Sequence, residues 1–412
     1  MSKHILHLFE GYGVELEYMI VHRNDLSILP ITDKVIHRVS GTYASEIELG
    51  PLNWSNELVL HVIELKTNGP APALEPLPEL FLSHIRKINH ILEADDGQLM
   101  PTAMHPWMDP MLETQLWTHE YNRVYEVYNR IFDCRGHGWS NLQSLHINLP
   151  FADDDEFGRL HAAIRLILPI LPAIAASSPI VMGQFSGMMD TRLEFYRNNQ
   201  NKVPSLTGNI IPEQVYTRKG YEQQLLSRLY QDISPYDPDC LLRHEWLNSR
   251  GAIARFDRYT IEIRVLDIQE CPLADLAIMA AIVALIRALI AEKWVKLAVQ
   301  QMFPTERLAG LFLNTIRNSE RTKIDDSEYL RLFGWNDGSV CTAGELWLHL
   351  YQSELHQVMD DVWHIPFEII LNKGCLSRRI IHSLNGDFSR ENLLVSYRKL
   401  IRCLQEGTLF IA

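Results

Sequence analysis

Gly13-Val14-Glu15-Leu16-Glu17-Tyr18-Met19-Ile20 alternates apolar and polar residues with a period of two, the pattern of a half-buried strand. Val14, Leu16, Tyr18 and Ile20 share one face, and Glu15 and Glu17 share the other, roughly 7 Å apart along the strand. Three further stretches repeat the arrangement. In 62–67, Ile63 and Leu65 oppose Glu64 and Lys66; in 142–149, Leu145, Ile147 and Leu149 oppose Ser144, His146 and Asn148; in 259–265, Ile261, Ile263 and Val265 oppose Thr260, Glu262 and Arg264. A strand face turned to water is usually a mixture of Lys, Thr, Ser and Gln. These four faces instead gather four glutamates, a histidine, an asparagine and an arginine. Carboxylates on neighbouring strands repel, and divalent cations between them relieve the repulsion. Mg²⁺ takes oxygen ligands and keeps waters and substrate phosphates, and Mn²⁺ also accepts an imidazole. The set therefore suits two or three such ions gripping a polyphosphate, with Arg264 neutralising charge on a transferred phosphoryl group.

Around these strands the chain reads as a globular enzyme. Its 412 residues correspond to two or three average domains, or to one large α/β enzyme domain with insertions. Hydrophobic residues at 47% and charged residues at 22% exclude a disordered or fibrous chain. A net charge of −13 argues against a nucleic-acid partner, which needs a basic footprint, but leaves room for a small anion held through metal. The most apolar run, 276–286, is short of the ~20 residues of a membrane span and reads as a core helix. The six cysteines, at 134, 240, 271, 341, 375 and 403, form no C-x-x-C pair and read as reduced thiols of a cytoplasmic protein. There is no G-x-x-x-x-G-K-[ST] loop, no G-x-G-x-x-G after a strand, no G-x-S-x-G and no H-E-x-x-H. Helical spacing is predicted over 80–92, 116–132, 153–176 (shortened by Pro169 and Pro172) and 273–299. Residues 24–56 read as irregular, and 198–218 as a long loop able to act as a lid or substrate-binding segment. Strands this far apart in the chain imply an antiparallel or mixed sheet with helices on one side, an α+β architecture.

The order of the motifs resembles the type 2 glutamate–cysteine ligase family of carboxylate–amine ligases. The resemblance rests on Gly13-Val14-Glu15-Leu16-Glu17, Ile63-Glu64-Leu65-Lys66-Thr67, Met104-His105-Pro106-Trp107, Leu145-His146-Ile147-Asn148, Ala175-Ala176-Ser177-Ser178-Pro179 with Gly183 and Asp190-Thr191-Arg192, and Ile261-Glu262-Ile263-Arg264 with Asp267. It runs from about residue 11 to about residue 290. It implies a glutamine-synthetase-like catalytic domain, a curved and mainly antiparallel sheet forming a funnel with helices outside, over 1–300. Residues 301–412 are then a mainly helical extension packed on it. It also implies ATP, Mg²⁺ (or Mn²⁺) and ligation through an acyl phosphate. Carried over, Glu15, Glu17, Glu64, His146 and Glu262 become metal ligands and Arg264 a phosphate contact. Arg192 and Arg197 would hold substrate or phosphate, and Glu57, seven residues before Glu64, is an added acidic candidate. Asn148 replaces part of the usual surface beside His146 and is grouped with the nucleotide contacts. The sequence departs from the family at Ala103-Met104, which replace Gly-Thr, and at Asn68-Gly69-Pro70, which replace Thr-Pro-Pro.

The expected function is thus ATP-dependent joining of an amino-acid-like carboxylate to an amine, both small molecules, with no membrane or nucleic-acid partner. The length is compatible with a homo-oligomer. Two further readings stand beside it, phosphoryl transfer to a guanidino-type acceptor and a non-catalytic nucleotide or metabolite sensor. Ser177-Ser178-Pro179 reads as a turn, since no His/Asp pair is placed to activate a serine. His105 fits either a loop-fixing or a site role.

Overall fold

In the computed structural model, which describes residues 5–412, the alternating stretches build one open sheet. Its strands are β1 (Gly13–His22), β2 (Glu46–Leu49), β3 (Leu52–Asn56), β4 (Val62–Thr67), β5 (Gly97–Met100) and β6 (Ser144–Pro150). A short separate hairpin follows, β7 (Ile180–Val181) with β8 (Gln184–Phe185), and then β9 (Ala252–Arg255) and β10 (Thr260–Asp267). The order is β2-β3-β4-β1-β6-β10-β9, with β5 pairing the far half of β1, and the pairings are antiparallel. The expected α+β class and mainly antiparallel sheet are what the fold shows.

Register decides which side chains meet. Leu16 pairs with Leu65 on one side and Leu145 on the other, and Trp54 follows Leu65 across β3. All are fully buried. This aliphatic face packs beneath a helical layer in which Pro272–Ile290 lies against Leu77–Leu92 and Asp154–Ile167. The helix Pro272–Ile290 is long and apolar enough to cross a membrane, and every residue in it except Leu273, Arg287 and Ile290 is buried. Its burial, not the shortness of its apolar run, assigns it to the core.

Several boundaries differ from the sequence reading. Residues 24–56, expected to be irregular, hold a helix, Thr32–Ser40, and the β2–β3 hairpin. The hairpin was hidden because its site-facing residues, Glu46, Glu48, Asn53 and Ser55, are polar and its strands are short. The helix expected over 116–132 begins at Asn122, because Leu116 is drawn into a bridge with Val59 and Tyr121 takes a φ of 67°. Pro169 and Pro172 do shorten the helix expected over 153–176, which ends at Ile167 and continues as short turns. The apolar helix ends at Ile290, and a separate one spans Leu297–Met302. The loop 198–218 is pinned by buried Val203, Leu206, Ile210, Ile211 and Val215, and Asn199 and Gln200 at its start line the cavity described below.

Helices beyond residue 300 brace the same core. The carbonyls of Ile316 and Arg317 accept from the amides of Asp190 and Met189, and Ser377 Oγ donates to the Met189 carbonyl at 2.5 Å. Arg379 and Glu270 form a buried ion pair, and Glu270 also accepts from the Phe410 amide at 3.0 Å.

Three interior histidines are held neutral by burial. His105 Nε2 meets the Leu26 carbonyl at 2.7 Å and its Nδ1 meets the Met108 amide at 2.9 Å, so the first must donate and the second accept. This is a loop-fixing role, and burial lowers its pKa to about 3. Burial likewise lowers His61 to about 4 and His161, stacked on Phe157, to about 3. A folded-state pKa below the unfolded ~6.5 stabilises the fold above that pH and is lost as pH falls toward 3–4. His161→Phe removes one such group. In urea denaturation, its stability relative to the parent is expected to rise by about 1.4 kcal/mol between pH 7.5 and pH 5.5. An unchanged difference at the two pH values would contradict the assignment.

Candidate active site

The face opposite the helices is a lattice of ionisable groups set by the same register. Glu15 lies between Lys66 of β4 and His146 of β6, and Glu17 lies beside Glu64, which lies beside Ser55 of β3. Asn148 stands between Gly13 and Glu262. A Cβ on Gly13 would come within 2.8 Å of the Asn148 Cβ, so the close approach of β1 to β6 here depends on the missing side chain. Between Ile263 and Leu266 the β10–β6 register shifts, and this irregularity carries Arg264. The alternation expected to Val265 holds, with Glu262 and Arg264 on the cavity side and Ile263 and Val265 buried, but the cross-strand pairing shifts, so that Leu266, not Val265, pairs with Leu145.

The charged residues of this face line one cavity of about 710 Å³. Glu15, Glu17, Glu57, Glu64, His146, Arg192, Glu262 and Arg264 all border it. Glu15, His146 and Glu262 each present a ligand atom within 4.8 Å of the others. His146 Nδ1 is 3.0 Å from Glu15 Oε2 and its Nε2 is 3.9 Å from Glu17 Oε1. Glu17 is fixed by Ser144, whose amide and hydroxyl donate to one oxygen at 2.8 and 3.0 Å. Glu64 accepts from Ser55 at 2.5 Å and faces Lys66 Nζ at 3.1 Å. Arg264 Nε lies 2.5 Å from Glu262, and Arg255 Nη1 approaches the other oxygen at 3.4 Å.

Crowding polarises the titrations. Burial pushes the Glu15 carboxyl up, but the hydrogen bond and charge of His146 outweigh it and hold Glu15 at about 2. Burial pulls His146 down, but Glu15 and Glu17 raise it to about 9, so the ring is a cation. Burial, opposed by Lys66 and aided by Glu15, lifts Glu64 to about 7. Glu57 rises well above the carboxylate range through burial and then through the charges of Glu17 and Glu64. Neighbouring acids driven apart in this way mark sites that handle protons or ions.

Two expected contacts lie elsewhere. Arg197 forms a fork with Glu194, at 2.7 and 2.8 Å, on its own helix and does not border the cavity. Asn148 also stands outside the lining and donates to Glu15 Oε1 at 3.0 Å, so it aims a carboxylate. Arg192 is nearly fully buried. Its Nε is 2.5 Å from Asp267, and both Nη atoms reach the Arg264 carbonyl at 3.4 Å, so it supports the Arg264 backbone from beneath. Asp267 is held in turn by Ser177 N and Ser178 Oγ, at 2.8 and 2.7 Å, which gives the Ser-Ser-Pro segment, just past the helix Pro172–Ala175, a structural role; it is bridged to Asp190 and does not form the expected turn. The sequence reading did not single out Arg255, Ser55, Tyr125 or Trp139, placed Tyr128 on the apolar stripe of a helix and read Trp246 as core; all six border the cavity. Arg255 ends a four-residue apolar strand with no visible period, and the aromatics come from the helix Asn122–Phe132, which carries both tyrosines, and from two short helical turns at Trp139 and Trp246.

The two arginines should separate in a stability measurement. Arg192→Met leaves Asp267 buried without its partner and is expected to cost about 3–5 kcal/mol in urea denaturation. Arg197→Met should stay within about 0.5 kcal/mol. Equal effects would overturn this placement.

Comparisons with known proteins bear on this site. The profile of glutamate-cysteine ligase family 2 (GCS2) matches residues 12–360. An uncharacterised protein of Archaeoglobus fulgidus is 31% identical over 401 residues, 97% of this chain and all of that one. A Cupriavidus metallidurans protein provisionally named glutamate–cysteine ligase 2 is 27% identical over 186 residues, 44% of this chain and 46% of that one. The crystal structure of a Francisella tularensis glutamate–cysteine ligase, in complex with AMP, superposes with a TM-score of 0.64 at 14% identity, covering 98% of this chain and 90% of that one. At that identity the likeness is one of fold.

Proposed function

This chain belongs to glutamate-cysteine ligase family 2, and we propose that it is an ATP- and Mg²⁺-dependent ligase joining an amino-acid-type carboxylate to an amine through an acyl phosphate. The observation that carries the reading is the convergence of Glu15, His146 and Glu262, with Glu17 and Glu64 beside them, on one wall of a single cavity. The donor set is carboxylate oxygens and one imidazole, which fits Mg²⁺ or Mn²⁺ and does not fit a thiophilic metal. Such ions would be held by Glu15, Glu17, Glu64 and Glu262, and by His146 once it gives up its proton to the incoming metal, and would supply charge neutralisation for the triphosphate.

The chain's own groups do the rest. Arg264, beside Glu262 on the irregular part of β10, is placed to hold the equatorial oxygens of the γ-phosphoryl group while a substrate carboxylate oxygen bonds to phosphorus and the bond to ADP breaks. Arg192 keeps that guanidinium in place through its backbone. The amine nitrogen then bonds to the acyl carbon, phosphate leaves, and the amine must lose a proton. Glu57, which lies just past β3 and whose raised proton affinity makes its ionised form a stronger base than an ordinary carboxylate, is the group we assign to accept that proton, its own proton having first left. We assign the catalytic unit to residues 1–300 and a bracing role to 301–412. We place the protein in the cytoplasm, in keeping with six unpaired cysteines among the described residues, five of them away from full exposure.

The direct test is ADP release with candidate amino acids, with and without amines. Ligation requires release that depends on amine and on Mg²⁺. Release with a guanidino acceptor would favour phosphotransfer, and stoichiometric binding without turnover would favour a sensor. Two substitutions address the site itself. Glu262→Gln removes a metal-binding charge and should weaken ATP binding. Arg264→Lys keeps charge but loses the planar fork, and should lower turnover by about 10²–10³ with a smaller effect on ATP affinity. Because the two side chains pair, the double variant should lose less than the product of the two single effects. Parental turnover in both single variants would defeat the site assignment.

A further inference from the structure

On the outer side of the molecule a second cavity of about 590 Å³ opens between the end of β1, the helix Leu77–Leu92 and the last helix, Arg390–Glu406. In a chain of net charge −13 its lining is basic. Arg23, Arg86, Arg398 and Arg402 border it together with His90, against a single carboxylate, Glu93. The guanidinium groups are aimed by carbonyls more than they are neutralised by acids. Arg23 Nε donates to the Gly97 carbonyl at 2.9 Å, Arg86 Nε to the Gln405 carbonyl at 3.1 Å, and Arg398 Nη2 to the Asn24 carbonyl at 2.6 Å. The nearest acids are loose, with Glu93 at 3.8 Å from Arg23 and Glu79 at 3.7 Å from Arg86. Arg402, one helical turn beyond Arg398, has no hydrogen-bond or ion-pair partner among the described residues. Asn89 and Gln405 add amides, and they are already joined at 2.7 Å.

Carbonyl-anchored arginines keep their charge while losing little freedom when an anion arrives, and their forks match phosphate geometry. Helix C-termini do attract cations, but one or two exposed charges satisfy that need. Four arginines from three separate segments around one concavity exceed it. We propose that this outer cavity is a binding site for a compact polyanion carrying a phosphate chain, separate from the acidic site and needing no metal.

The test is calorimetric titration of the full chain with inorganic tripolyphosphate and with ATP, in excess chelator. Arg402→Glu is the informative variant, because Arg402 is exposed and makes no hydrogen bond or ion pair among the described residues. The expected result is one anion bound per chain without metal, weakened at least about tenfold by Arg402→Glu and weakened by added salt. Comparable affinity for tripolyphosphate and ATP would identify the phosphate chain as the recognised part, and tighter ATP binding would identify a nucleotide. Absence of binding in chelator, or binding that Arg402→Glu leaves unchanged, would overturn the proposal and leave the arginines serving only the helix ends. A loss seen equally with Arg398→Ala and Arg402→Glu, in variants of parental thermal stability, would support it further.

Discussion

Like charges side by side on a sheet are the constraint around which this molecule is built. Glu15, Glu17 and Glu64 occupy neighbouring positions on β1 and β4, and the Glu262 side chain reaches Glu15 from β10 across β6, where mutual repulsion and burial both work against them. The chain answers with cations on the same lattice. Lys66 stands by Glu64, protonated His146 by Glu15 and Glu17, and Arg264 with Arg255 by Glu262. Each carboxylate is therefore paired before any ligand arrives. An arrangement of alternating signs costs less than a bare acidic face, and it keeps the carboxylates aimed.

That lattice is held only because the opposite face is wholly apolar. Leu16, Leu65, Leu145, Ile147 and Ile263 are fully buried under the helix Pro272–Ile290 and its neighbours. A one-residue slip would exchange the two faces, so hydrophobic burial fixes the register and the register fixes the ion pairs. Support from below is polar and specific. Ser177 and Ser178 hold Asp267, Asp267 holds Arg192, and Arg192 holds the backbone of Arg264. Ile316, Arg317 and Ser377 steady the segment that carries Asp190 and Arg192. Residues far from the cavity in sequence thereby set the position of a guanidinium inside it.

How far the sequence reveals this depends on the physics of each part. β1 and β4 are legible to the residue, because period-two alternation with one aliphatic face arises from a half-buried strand and from little else. β2 and β3 are not, since Glu46, Glu48, Asn53 and Ser55 make their pattern too polar to separate from a loop. Glu15, Glu17, Glu64, His146, Glu262 and Arg264 meet because one face of a continuous sheet collects them. Arg197 was grouped with Arg192 through the family resemblance, and a matched motif does not say which arginine faces Asp267 and which faces Glu194. The irregular register at Arg264 was invisible because cross-strand register is a property of two strands and only one can be read at a time.

The central claim is that the carboxylate–histidine face holds divalent metal under the phosphates of ATP. The most direct measurement is anomalous diffraction at the manganese edge from crystals grown with Mn²⁺ and a non-hydrolysable ATP analogue. The account predicts anomalous peaks within ligand distance, about 2.0–2.3 Å, of Glu15, Glu262 and their neighbours Glu17, Glu64 and His146, with triphosphate oxygens completing each shell and Arg264 turned toward the terminal phosphate. Peaks only at surface carboxylates, or nucleotide seated in the cavity with its phosphates away from this face, would contradict it.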